Sequence, residues 1–116
     1  MVITTQKAAQ RFRIPSRTAR LVLRNDWEGA EIVVRLDIPV GVFLNIQDLV
    51  ASDQQLRVFE VFGDKVLSSW NIEDEDGMVL EANGKGMNGI PIQLANLIVE
   101  QWVEVSTQPS LPLGGN

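Results

Sequence analysis

The chain contains no cysteine, no histidine and no tyrosine. Without cysteine there are no disulfides, no thiolate metal ligands and no thiol nucleophile, a usage that suits an intracellular setting. Without histidine and tyrosine the commonest general base, the commonest imidazole ligand and the phenolic acids are missing together. No apolar run approaches the roughly 18 residues needed to cross a bilayer, and Met1 to Arg20 lacks the apolar block of a secretory signal. Serines and acids are present, but nothing places a conventional base beside a nucleophile. The expectation is a soluble, unsecreted protein without catalytic residues, cofactor or metal, and not an enzyme.

Acids are missing from one part of the chain only. Residues 1–25 carry Lys7, Arg11, Arg13, Arg17, Arg20 and Arg24 with no acid, while the remainder holds all fifteen acids against four bases. A basic arm of this kind can meet a nucleic acid backbone, and it can equally meet an acidic neighbouring copy of the same protein. The acidic body, and aromatics that are not interleaved with the bases, make Arg11, Arg13, Arg17 and Arg20 a poor nucleic-acid surface.

At 116 residues the chain makes one domain, large enough to bury roughly two-thirds of its unfolded surface. Residues 1–16 read as a mobile basic arm, 17–105 as a single α+β domain and 106–116 as a flexible tail rich in Ser, Thr, Pro and Gly. From Thr18 the pattern has period two. Ala19, Leu21 and Leu23 alternate with Arg20, Val22 and Arg24, and Ile32, Val34, Leu36 and Ile38 alternate with Glu31, Val33, Arg35 and Asp37. The intervening NDWEGA holds turn formers, so an antiparallel hairpin with Trp27 at its tip is predicted. Tryptophan at such a tip covers the end of a small core more often than it grips a ligand, and it is also a candidate partner contact.

A lone hairpin is marginal in water and needs helices over its apolar face. Three are predicted. The first opens at Pro39 and runs to about Ala51, with Val40, Phe43, Leu44 and Val50 near one face. The second spans Ser52 to Trp70, with a capping box at Ser52 and Gln55 and a seam of Leu56, Phe59, Gly63, Val66 and Trp70. Gly63 within that seam marks either close approach of another element or a kink. The third opens at Pro91 and carries Leu94, Leu97, Ile98, Trp102 and Val105. Trp70 and Trp102 are read as core residues.

Between the last two helices lie two tempting motifs. Gly84, Lys85 and Gly86 suggest a phosphate loop, but the Walker spacing and its Lys-Ser or Lys-Thr ending are absent. Glu73, Asp74, Glu75 and Asp76 precede Gly77, but with that glycine in the calcium-loop place the first ligand would be Ile72 and the twelfth Asn83. The four acids are expected in a solvated turn, followed by a short strand at Met78 to Leu80 and then loop.

The order of a basic strand, a D-W-E-G turn, a second strand, helices ending in SSWNIEDEDG, a loop, an apolar helix and a Pro-Leu-Gly tail resembles the small tail assembly chaperones of long-tailed bacteriophages. The specific element is Ser69-Trp70-Asn71-Ile72 followed by the acidic run and Gly77, and the likeness covers roughly Arg17 to Asn116. Met78 to Gly89 is glycine-rich where the resembled chains carry prolines and threonines. The resemblance implies a non-catalytic protein of the host cell cytoplasm that binds the tape measure protein, keeps it soluble and yields as tail tube protein assembles around it. A structural virion protein of the tail or head–tail junction is the alternative. Partner contacts are expected at Arg11, Arg13, Arg17, Trp27, Glu73, Asp74, Glu75 and Asp76, and an arm of six positive charges against an acidic body favours a homo-oligomer.

Overall fold

The computed structural model describes residues 10–107, so the expectations for residues 1–9, including Lys7, and for residues 108–116 lie outside the described residues. The protein is α+β, a three-stranded antiparallel sheet with helices packed on one face. The predicted hairpin is β1, Thr18–Val22, paired with β2, Glu31–Arg35, in a register that sets Leu21 opposite Ile32 and Ala19 opposite Val34. The alternation works as read. Leu21, Leu23, Ile32 and Val34 are buried, while Arg20, Glu31 and Arg35 lie on the open face.

Helix α1, Val40–Ala51, begins after Pro39 as expected, and α2 follows as Gln55–Lys65. The corner between them differs from the expected capping box. Ser52 ends α1, where its hydroxyl donates to the Asp48 carbonyl at 2.7 Å, and it lies two residues before the Gln54 N-cap position of the next helix, so the expected capping box does not form. Asp53 takes a left-handed conformation, φ 59°, which turns the chain, and Gln54 starts α2 with no side-chain cap.

The second helix is also shorter than its predicted span to Trp70. It stops at Lys65, and Leu67–Trp70 forms β3 against β2, with Ile32 opposite Trp70 and Val34 opposite Leu67 across a bulge. The cause is tertiary. The unpaired edge of β2 offers backbone donors and acceptors that a further helical turn would leave without partners. The seam of α2 is rotated as well: Val58, Phe59, Phe62 and Gly63 face the core and Leu56 is 60 % exposed.

Gly63 marks close approach, not a kink. A Cβ there would run into the backbone of Asn83 and Gly84, where the short helix α3, Gly84–Met87, crosses α2. That segment was expected to be loop. Asn83 caps it by accepting from the Gly86 amide at 2.9 Å, and Asp64 accepts from the Gly84 amide at 2.8 Å. The last helix, α4, Ile92–Thr107, follows Pro91 and extends through Ser106 and Thr107. Its Trp102 is buried between Phe62 and Phe43, both ring centroids at 5.5 Å.

Candidate functional site

The candidate site is a groove of about 890 Å³ formed where two turns lie side by side. The first is the hairpin tip. Asn25 adopts φ 60°, residues Asn25–Trp27 make one 3-10 turn, and Gly29 at φ 100° returns the chain to β2. The second is the acidic turn, which the structure shows to be a small hairpin. Glu73 bridges Val79, the Ile72 carbonyl accepts from Leu80, and one carboxylate oxygen of Asp74 accepts from the amides of Asp76 and Met78, both at 2.9 Å. Gly77 closes the turn at φ 82°. Asp74 therefore organises its own neighbours as an Asx turn. The predicted strand at Met78 to Leu80 is reduced to that single bridge.

Asn71 holds the two turns together. Its side-chain oxygen accepts from the Glu31 amide at 2.8 Å, its side-chain nitrogen donates to the Gly29 carbonyl at 3.1 Å, and its own amide donates to the Glu31 carbonyl at 3.2 Å. Trp70 fixes the far side, donating from its indole nitrogen to the Leu80 carbonyl at 2.8 Å. It is thus half-buried and hydrogen-bonded, not a fully enclosed core residue as expected. The residues from Trp70 to Gly77 act as a scaffold for the groove wall.

Trp27, Ile72, Leu80 and Ile90 make a half-buried apolar floor, and Asp26, Glu28 and Glu73 to Asp76 supply carboxylates without any lysine or arginine in the lining. Among the described residues none of these six acids is in an ion pair. Of the eight residues predicted as partner contacts, five meet here: Trp27, Glu73, Asp74, Glu75 and Asp76. Asp26 and Glu28 were missed. Their signal was visible in the sequence, since two acids flank a tryptophan at a turn.

The three predicted arginines lie elsewhere. Arg11 and Arg13 are exposed on the segment before β1. Arg17 is committed to a clamp on Asp37: its backbone amide and Nε donate to one carboxylate oxygen, each at 3.0 Å, and its Nη2 donates to the other at 2.8 Å. The hydrogen-bonded pairing lowers the Asp37 pKa below the ordinary carboxylate range and raises that of Arg17. Arg17 thereby closes the open end of the hairpin and is not a free contact residue.

Among the described residues no group of three or more acidic side chains is arranged to hold a metal ion, and no helix is long and apolar enough to cross a membrane. A second, smaller cleft of about 310 Å³ runs between α2 and the start of α4, where Leu56 is 60 % and Ile92 48 % exposed beside Phe59 and Ile90. The fold is a small α+β body whose described residues include this acidic groove, this apolar cleft and a further apolar recess of about 290 Å³ at Leu36, Ile38, Val40 and Phe43. No family model, curated protein or solved structure matches the chain.

Proposed function

We propose that this protein is a non-catalytic assembly factor of a long-tailed bacteriophage, a tail assembly chaperone that binds the long helical tape measure protein until tail tube protein surrounds it. The observation that carries this reading is the apolar cleft between α2 and α4, with Leu56 and Ile92 left to solvent at its lip. A helix with a repeating apolar stripe can set side chains into such a cleft, and small bodies spaced along it would cover that stripe from water. The Ser69-Trp70-Asn71-Ile72 and acidic-Gly77 element that carries the resemblance supports the reading, since Trp70, Asn71 and Asp74 each make hydrogen bonds that shape the groove wall.

The test is co-expression with a long helical tape measure protein of such a phage. The long partner is expected in the soluble fraction with the wild-type chain and in the pellet with Leu56→Glu plus Ile92→Glu. A partner that stays insoluble with the wild type removes the chaperone role. Retention of the chain in purified particles would assign it instead to the finished tail or head–tail junction.

A further inference from the structure

The described part of the basic arm carries Arg11, Phe12, Arg13 and Ile14 in alternation. Phe12 is 84 % and Ile14 70 % exposed, and neither Arg11 nor Arg13 has an ion-pair partner among the described residues. In an extended conformation successive side chains point to opposite sides, so the two apolar groups share one face and the two guanidinium groups the other. The groove between the hairpin tip and the acidic turn has the matching layout, an apolar floor at Trp27 and Ile72 below a carboxylate rim.

The hairpin determines which copy's arm is suited to that groove. The arm joins β1 at Arg17, whose carbonyl accepts from the Leu36 amide at 2.9 Å and whose side chain is clamped to Asp37. Five steps of strand separate Arg17 from Val22, about 17 Å at the usual rise, and the Trp27 turn lies beyond that end. The arm is therefore anchored at the opposite end of the hairpin from its own groove. We infer that the groove receives the Arg11 to Ile14 segment of a second copy of this chain. The inference rests on the assembly role proposed above for its setting, and it names the contact between copies. Such a contact joins two different surfaces, so it either closes as a reciprocal exchange between two copies or repeats from copy to copy as a row or a ring. Exposed ion pairs add little individually, so Phe12 and Ile14 supply adhesion while the charges set register and salt dependence.

Sedimentation of the full chain at low and high salt tests this with two charge-reversed variants: Arg11→Glu with Arg13→Glu, and Glu28→Lys with Glu73→Lys, Glu75→Lys and Asp76→Lys, which takes the six groove carboxylates from a net of minus six to plus two. Asp74 is left intact because it shapes the turn. Wild type is expected to self-associate at low salt and to associate more weakly near about 1 M salt, where charges beyond ~3 Å are screened. Each variant alone, folded by circular dichroism, is expected to stay monomeric, because its arm and groove then carry the same sign. Mixing the two restores complementary pairs and should restore association. Phe12→Ser should weaken wild-type association by roughly tenfold or more. A wild type that is monomeric at low salt, variants that still associate, or a mixture that remains monomeric would each overturn the inference; an arm folded onto its own groove gives the first result. Solubility of the long helical partner, measured separately, reports on the chaperone reading alone.

Discussion

Gly63 shows two opposing effects at one residue. In an isolated helix, alanine in place of glycine gains about 1 kcal/mol. Here the added methyl meets the Asn83–Gly84 backbone, which cannot withdraw freely because the Gly84 amide is held by Asp64. Overpacking of this kind costs about 1–3 kcal/mol, so Gly63→Ala is expected to lower the thermal midpoint despite its better helix propensity. An unchanged or raised midpoint would contradict the close approach. Asp37 provides a second test. Its pKa is lowered by Arg17, so the pair stabilises the fold above the ordinary carboxylate range near about 4 and loses that contribution as pH falls through the lowered value. Asp37→Asn should lower the midpoint slightly at neutral pH, with the gap to wild type closing in acid. A gap independent of pH would assign the effect to packing.

Among the elements, α4 and β3 depend on different forces. Trp102 of α4 is 1 % exposed, yet among the described residues its indole nitrogen has no hydrogen-bond partner, and neither has the hydroxyl of Ser106. The residue contributes volume and ring contacts with Phe62 and Phe43. Trp102→Ala should therefore cost about 3–5 kcal/mol, whereas Trp102→Phe, which removes the orphaned donor and keeps a ring, should cost far less. Denaturant titration of the two variants separates these outcomes. The β3 side is held by polar bonds. Asn71→Ala leaves the Glu31 amide and the Gly29 carbonyl without their side-chain partners, at about 1 kcal/mol. Hydrogen exchange at the Glu31 amide should quicken, and unchanged protection there would show that Asn71 does not join the turns.

At the scale of the molecule, charge is separated along the chain and gathered in space. The six groove carboxylates repel one another when no cation occupies the groove, and salt screens that repulsion. In a chain lacking residues 1–16, Glu73→Gln with Glu75→Gln should raise the thermal midpoint slightly at low ionic strength, and the gain should fade in high salt. An equal effect at all salt concentrations would mean that the acids act through local turn structure. In the full chain the same substitutions should weaken self-association, so the arm and the groove are coupled through one set of charges.

The sequence by itself located β1, β2, α1 and α4 to within a few residues at their ends, and alternation or helical periodicity recorded which side of β1, β2 and α4 meets the core. In α1 the expected face fails, since Val40, Leu44 and Val50 are exposed and Ile46 is buried instead. The sequence also placed Trp27 at the tip of the hairpin and Glu73 to Asp76 in a solvated turn. Tertiary structure alone decided that Leu67 to Trp70 would be a strand, because the free edge of β2 needed partners that no local pattern could show. It alone committed Arg17 to Asp37, and it alone brought the tip tryptophan to the acidic turn. That meeting depends on Asn71 reaching residues 40 and 42 positions away. Hydrogen bonds over such separations leave no periodic trace in the chain, and the groove exists only through them.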